Sequence, residues 1–442
     1  MSQALLTDLY ELTMAYSYFK RGMNSPATFD LFVRPPVPNR RFLVFSGLES
    51  ALSYLENLHF DDDDLAYLDT LGLFDREFLD YLSRFRFQGE VWSVSEGEIV
   101  FPGEPLMTVQ APRIEAQIVE TFLLNTVNYE TLIASKAARV LLAAGKEASV
   151  VDFSPRRDHG ADAAIKAARA SYLAGFDGTS NVLAGKLYGI PVVGTMAHSY
   201  VMSFPDEGSA FRAFAEDHPR PILLIDTYDL MRGLENAIAV AKDLKAKGRS
   251  LIGVRIDSGD LAEATRMVRQ RLDAAGLPEV KIFISGDLDE YRIQAFKAQG
   301  GVAWGYGVGT RLGTSYDLPA LGGVYKLVED DAGPRIKKSP GKHTLPGKKQ
   351  VWRLEDGGQP SDRITLREET GEGRALLHQV MRQGRRIIPP PDLKKLREAT
   401  RERIFSLPEA LKDLSPVENP AYPVTVSPSL LSLQNEAFLE NS

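Results

Sequence analysis

The sequence predicts an α/β protein, a closed or nearly closed barrel of β-α units that follows a mixed unit of helices and antiparallel strands. Three observations carry that prediction. From Ser149 onward, short apolar runs alternate with helical patterns, and repeated β-α units imply parallel strands joined by right-handed crossovers. Ahead of them, residues 89–110 form short alternating runs split by Gly and Pro, an antiparallel signature. At 442 residues, 44% of them apolar and 25% charged, the chain is long enough for a large core and two structural units.

The first elements are a helix at Leu9–Tyr16 and a strand at Thr28–Val33, halted by Pro35-Pro36-Val37-Pro38. The acidic run Asp61–Asp64 reads as a solvated loop or a helix entry rather than a metal site. A long helical stretch runs from Ile118 to Ala144. Strands are then expected at Ser149–Phe153, Ala174–Phe176, Pro191–Gly194, Pro221–Ile225, Leu251–Ile256, Val280–Ile284, Val302–Gly307 and Gly323–Leu327. Up to eight such strands suit a barrel. Asp260-Leu-Ala-Glu263 and Asp287-Leu-Asp-Glu290 resemble capping boxes, and Gly248 and Gly276 sit where helices should end. Beyond residue 328 come a β-like piece at Gln350–Leu354, a basic strand or loop with a charged helix between Arg386 and Leu407, and an extended tail at 415–442. The expected units are 1–117, 118–328 and 329–442.

Composition excludes several classes. With 52 Lys and Arg against 59 Asp and Glu, the net charge of −7 leaves no footprint for nucleic acid. The absence of cysteine excludes disulfides, thiol catalysis and cysteine-bound zinc. The first residues lack a basic region followed by an apolar core, and no apolar run approaches the ~20 residues of a membrane span. The expectation is a cytoplasmic protein with no membrane partner.

Candidate chemistry clusters at expected strand ends, where α/β barrels place it. His198, one of six histidines, follows Ile190-Pro-Val-Val193 in Gly194-Thr-Met-Ala-His-Ser199. It is compatible with a helix cap, or with an imidazole that accepts a proton or phosphoryl group. In Val254-Arg-Ile-Asp-Ser-Gly-Asp260, alternation points Arg255 and Asp257 to one side, opposite Val254 and Ile256. They form either a structural ion pair or an anion-binding Arg beside an Asp that orients a hydroxyl or metal. Ser285-Gly-Asp-Leu288 and Gly305-Tyr-Gly-Val-Gly-Thr-Arg-Leu-Gly313 suit phosphate oxygens held on backbone amides, or ordinary turns. Asp152-Phe-Ser-Pro-Arg-Arg157 offers either Phe153 to stack on a ring with an arginine to fork onto a carboxylate, or a surface arginine pair beside a core Phe. Ile222-Leu-Leu-Ile-Asp226-Thr-Tyr-Asp229 places acids after four apolar residues, a poor match to the ribose loop of Rossmann-like phosphoribosyltransferases.

Taken together, seven segments resemble the nicotinate phosphoribosyltransferase family, in family order over residues 5–355. They are Leu6–Met14, Arg156-Arg157, Gly175–Gly185, Gly194–Ser199, Val254–Leu261, Gly322–Leu327 and Thr344–Gln350. The resemblance implies an irregular or incomplete TIM-like α/β barrel, with an α+β sandwich-like domain built from the N-terminal and later chain. It implies coupling of nicotinate with phosphoribosyl diphosphate, driven by ATP with Mg²⁺, in a homodimer with active sites at the subunit interface. On that resemblance His198 is the phosphorylated residue and Asp226 orients its ring. Phe153 and the partner copy's Tyr10 sandwich the pyridine. Arg156, Thr195 and Arg255 hold its carboxylate or adjacent phosphoribosyl groups. Asp257 faces the ribose, while Ser258, Gly286, Asp287, Gly309 and Thr310 serve the phosphates. No dedicated protein ligands for a metal are expected.

Ser180 of Gly178-Thr-Ser180 stands where nicotinamide phosphoribosyltransferases place an acid, which favours the acid substrate over the amide. Asp158-His159 departs from the family's usual Ala-Gln and places an extra acid near the ring pocket. The alternatives are a nicotinamide enzyme, a quinolinate enzyme, a glycosidase barrel and an idle barrel serving as a metabolite sensor.

Overall fold

A computed structural model describes residues 3–338, 344–354, 361–420 and 422–440. The remaining positions fall within the segments read above as N-terminal unit and C-terminal segment, and lie outside the described residues. Contacts divide the chain into one unit of Met1–Ser135 with Ala320–Ser442 and a second of Lys136–Pro319. The divisions thus fall inside the helix Glu120–Ala144 and just ahead of the strand Gly323–Asp330, rather than at 117 and 328.

The second unit is a parallel sheet with helices between its strands. Its six strands are Ser149–Asp152, Gly178–Thr179, Ile222–Leu224, Gly253–Ile256, Lys281–Ile284 and Gly305–Val308. Consecutive strands pair, except the second with the third, and the last pairs with the first, Gly305 opposite Ser149 and Val308 opposite Asp152. That first-to-last pairing curls the strands toward a barrel, leaving the second and third strands as the two edges of the sheet. A lone parallel bridge from Thr179 to Val192 extends it toward the seam between the second and third strands, where no ladder forms among the described residues. The barrel is therefore incomplete on one side. His198 begins the helix His198–Met202 in the segment that spans this seam.

Period-2 alternation sorts the barrel's faces. Val150, Val254, Ile256, Ile282, Ile284 and Val308 are buried on the helix-facing side. Register places Leu224, Arg255, Phe283 and Gly305 side by side on the opposite face. Gly305 and Gly307 are required there. A Cβ would stand 2.8 Å from the Phe283 ring at Gly305 and 2.5 Å from the Phe153 ring at Gly307. Val151, Phe153 and Phe283 fill the space so made, with Val193 against them.

The first unit draws its strands from both ends of the chain. Among the described residues its largest sheet has seven, with Pro26–Val33 between Gly323–Asp330 and Pro105–Pro112, both antiparallel, and continues through Glu90–Ser93 to His378–Arg382. A four-stranded sheet is built on Lys349–Leu354 and Ser361–Leu366.

Four local expectations are corrected. Gly323–Leu327 is a strand, but of this antiparallel sheet and not of the barrel. Ala174–Phe176 is a turn, because Gly175 at φ 114° ends the preceding helix and pairing resumes only at Gly178. The cap of the helix Glu290–Ala298 is Asp289, not Asp287, which sits at φ 50°. The expected extended tail contains the helix Pro428–Glu440, started by Pro at its first position and by Ser427 Oγ accepting from Leu430 N at 3.2 Å. The acidic run resolves as a helix entry: Asp61 and Asp64 bond each other's backbone N–H at 2.9 and 3.1 Å.

Candidate active site

The C-terminal ends of the barrel strands gather a chain of polar contacts centred on Arg255. This residue is the third of its strand, and its side chain is only 12% exposed. Its Nε donates to Ser285 Oγ at 2.9 Å, Nη1 to Thr195 Oγ1 at 3.1 Å and Nη2 to Asp257 Oδ2 at 3.1 Å. The guanidinium carbon lies 5.3 Å from the centre of the Phe153 ring, within cation–π range. Burial pulls the arginine's pKa down, Asp257 and Asp226 push it up, and nearby Arg156 pulls it down again. The fork is thus spread over three strand ends with one carboxylate among its partners.

Asp257 joins that fork to the histidine. Its Oδ1 lies 3.2 Å from His198 Nε2, while Thr227 Oγ1 lies 3.1 Å from Nδ1. An ionised carboxylate only accepts, so this contact sets the proton on Nε2 and leaves Nδ1 to accept from the threonine hydroxyl. The histidine side chain is 40% exposed, open to a reactant from the strand-end side.

Asp226 is placed differently from the expectation. Its Oδ2 accepts from Asp257 N at 2.9 Å and from Ser258 Oγ at 2.6 Å, bracing the turn that carries Asp257. The ring of His198 is held by Thr227 and Asp257 instead, because the strand ends one residue early and Thr227 is the side chain that reaches it. Asp226 Oδ1 is buried without a hydrogen-bond partner among the described residues. His198, Asp226 and Asp257 each offer a ligand atom within 4.8 Å of the others, a grouping the sequence reading did not expect. The two carboxylates are the hard oxygen donors that Mg²⁺ takes, and an unpartnered buried oxygen fits such an ion.

Three of the five phosphate candidates, Ser258, Gly286 and Asp287, line a cleft of about 470 Å³ together with Asp257; Gly309 and Thr310 lie outside its lining. Gly286 has φ 104°, and a Cβ there would stand 2.3 Å from the Asp257 carbonyl oxygen, so only glycine closes this turn. Gly309 and Thr310 open the short helix Thr310–Gly313 at the end of the last strand. The ion pair Arg311–Asp289, at 2.9 Å, ties these two turns together.

Arg156 is exposed on the turn after Phe153, and Ser180 N donates to the Asp152 carbonyl at 2.8 Å. Tyr10 belongs to the other unit, on the exposed side of the helix Leu9–Lys20. Sequence reasoning missed Thr227, two residues past an expected strand end, and Ser285, the next residue past one and the first of a quoted motif. It also gave no part to Asp152, whose buried carboxylate accepts from Ser154 N at 2.8 Å and Thr179 Oγ1 at 2.7 Å and fastens the first two strand ends.

The barrel's strand ends thus bring together an aromatic ring, a forked guanidinium, a half-exposed histidine and two glycine turns, the arrangement of an α/β-barrel enzyme. Comparison with known proteins makes this particular. Residues 5–128 match the nicotinate phosphoribosyltransferase N-terminal domain model, and residues 148–326 match the nicotinate phosphoribosyltransferase family model. The chain is 47% identical over 426 residues to a nicotinate phosphoribosyltransferase of Mycobacterium tuberculosis, covering 96% of this chain and 91% of that protein. It is 48% identical over 362 residues to one of Bacillus subtilis, covering 80% and 73%. The crystal structure of human nicotinic acid phosphoribosyltransferase superposes with a TM-score of 0.86 at 32% identity, covering 97% of this chain and 99% of that one. The chain belongs to the nicotinate phosphoribosyltransferase family.

Proposed function

We propose that the protein joins nicotinate to phosphoribosyl diphosphate, giving nicotinate mononucleotide and diphosphate in NAD biosynthesis, with ATP hydrolysis coupled through a phosphohistidine at His198. The observation that carries this reading is the continuous contact chain Phe153–Arg255–Asp257–His198 at the strand ends.

The ring of nicotinate stacks on Phe153, with Tyr10 of a second copy on its other face, and Arg156, Arg255 and Thr195 take its carboxylate. Its nitrogen then attacks the anomeric carbon as the bond to diphosphate breaks, and this held geometry supplies proximity. Positive charge grows on the ribose beside Asp257, and negative charge grows on diphosphate near the amides of Gly286, Asp287, Gly309 and Thr310. Ser258 adds a hydroxyl. Fixed donors and charges placed where charge develops lower the barrier. Asp226 and Asp257 would hold the Mg²⁺ that arrives with diphosphate or ATP, which supplies charge neutralisation. In the coupled step His198 Nε2 passes its proton to Asp257 and forms a bond to the γ-phosphorus of ATP, while the bond to the bridging oxygen breaks and that oxygen leaves with ADP. The new phosphate would displace Asp257 from the ring and so change the ribose site.

A homodimer is the proposed assembly. Val182, Leu183 and Leu187 on one helix, and Leu6, Leu9 and Tyr10 around another, expose apolar surface that a second copy would cover. A cytoplasmic location is proposed from the absence of cysteine. No helix among the described residues is long and apolar enough to cross a membrane.

The test is a product assay with nicotinate or nicotinamide, phosphoribosyl diphosphate and Mg²⁺, with and without ATP. Nicotinate mononucleotide is expected, and faster nicotinamide turnover would sink the substrate claim. γ-Labelled ATP should give an acid-labile phosphoprotein that His198→Ala abolishes. Label retained in that variant would exclude His198 as the acceptor.

A further inference from the structure

One wall of the phosphate cleft carries a cation to which the reaction above gives no part. The helix Glu290–Ala298 and its cap Gln299 present Arg292, Ala295, Phe296 and Gln299 to that cleft. Their spacing is that of a single helical face, which extends about 10 Å along the axis. Arg292 stands at the end of this face nearest the Gly286 turn, because the chain enters the helix from that turn at Asp289. Its backbone N–H donates to Asp289 Oδ1 at 2.8 Å, which fixes it in the first turn. The side chain is exposed and has no hydrogen-bond or ion-pair partner among the described residues. It is the one cation in the cleft lining among the described residues, where Asp257, Asp260 and Asp287 supply three carboxylates. Asp260 is engaged with its own helix, accepting from Glu263 N at 3.0 Å, and Asp257 faces Arg255 and His198.

We propose that Arg292 is a substrate-binding residue, whose guanidinium forks onto a phosphate group of phosphoribosyl diphosphate in this cleft. This rests on the reading that the turn at Gly286 and Asp287 serves the phosphates. A phosphate held there on backbone amides alone would face three carboxylates, and like charges at such range oppose binding. A fixed cation on the facing wall offsets that repulsion. The guanidinium suits the task because its planar fork of donors matches two phosphate oxygens at once. With no partner to give up among the described residues, Arg292 takes the phosphate without breaking an ion pair. Phosphoribosyl diphosphate brings two kinds of phosphate: the 5′-phosphate, which stays with the mononucleotide, and the diphosphate, which leaves. Both present the same chemistry to the fork, and the two products separate them.

The test is steady-state kinetics with Mg²⁺ and varied phosphoribosyl diphosphate or nicotinate, in wild type, Arg292→Ala, Arg292→Lys and Arg271→Ala. Arg271 is an exposed arginine of the helix Leu261–Ala274, paired with Glu235 and outside the cleft lining, so its variant removes the same charge from elsewhere on the surface. Arg292→Ala should raise KM for phosphoribosyl diphosphate ~10-fold and leave KM for nicotinate unchanged. Arg292→Lys keeps the charge but loses the fork and should fall between, while Arg271→Ala should match wild type. Calorimetry with inorganic diphosphate and with nicotinate mononucleotide then assigns the group. Weaker diphosphate binding in Arg292→Ala places the fork on the leaving group, and weaker mononucleotide binding places it on the 5′-phosphate. A KM for phosphoribosyl diphosphate that Arg292→Ala leaves at the wild-type value, or that Arg271→Ala raises as much, overturns the proposal, as does unchanged binding of both ligands. A wild type that makes no nicotinate mononucleotide sinks the proposed reaction instead, and the two calorimetric affinities still read Arg292.

Discussion

The sandwich interior and the strand ends of the barrel handle buried charge in opposite ways. In the sandwich unit Arg353 forks onto Asp362 at 2.9 and 2.6 Å and reaches Glu98 at 3.0 Å. Burial pushes Glu98 up, but Arg374, Arg403 and Arg353 outweigh it and hold its carboxyl below the usual range. Lys349 is similarly enclosed, on Asp30 at 2.9 Å and on backbone carbonyls. In the barrel unit Arg255 has a single carboxylate partner, and that carboxylate is shared with a half-exposed histidine. The same residue types serve both places. Where the charges saturate one another they hold structure, and where valence is left over and water still reaches, they can exchange a neighbour for a substrate.

Exchange of Arg255 for alanine should give the largest effect in the molecule. It should lower kcat/KM by about 10²–10³, with a denaturation midpoint close to wild type. A stability loss as great as its activity loss would erase the contrast. Arg353→Ala should do the reverse. It strands Asp362 and Glu98 in the sandwich interior, for a cost of about 3–5 kcal/mol in urea unfolding, with kcat of the folded fraction kept.

Gly313→Ala tests how tightly the barrel's strand ends are packed. Its Cβ meets Asp158, and overpacking of this kind costs about 1–3 kcal/mol. Adding Asp158→Ala should recover part of that loss, and strict additivity would show that the two do not touch.

The smallest effect sharpens the sandwich side. Glu11, fully buried, accepts from Thr7 Oγ1 at 2.5 Å and from Thr121 N and Oγ1 at 3.0 and 2.5 Å. Burial pushes its carboxyl from 4.5 up to about 7, against the two threonine hydroxyls. The folded state then holds a proton that the unfolded state has released. This contribution is complete below 4.5 and is lost as pH rises through about 7. The urea midpoint should fall over that interval, and Glu11→Gln should flatten the fall.

Much of the site was legible because strand ends are marked in sequence by a change from apolar residues to small or charged ones. Arg255 and Asp257 could be assigned to one face from alternation, and Gly286 from its place after an apolar run. Thr227 and Ser285 were not legible, since a single hydroxyl after a strand carries no pattern until the neighbouring strand end is known. Asp226 was misplaced for the same reason: whether it or Thr227 meets the His198 ring depends on where a three-residue strand stops. The strand Gly323–Asp330 looked like a further barrel strand because its apolar texture is the same, whichever sheet receives it.

The sequence by itself determined the β-α alternation, the residues available for chemistry and the family, because these rest on local periodicity and on residue order. The tertiary structure decided which strands close the barrel, where its seam lies, and that Asp257 rather than Asp226 faces His198. Those outcomes depend on pairing between residues far apart in the chain, and on angles at strand ends that no spacing records.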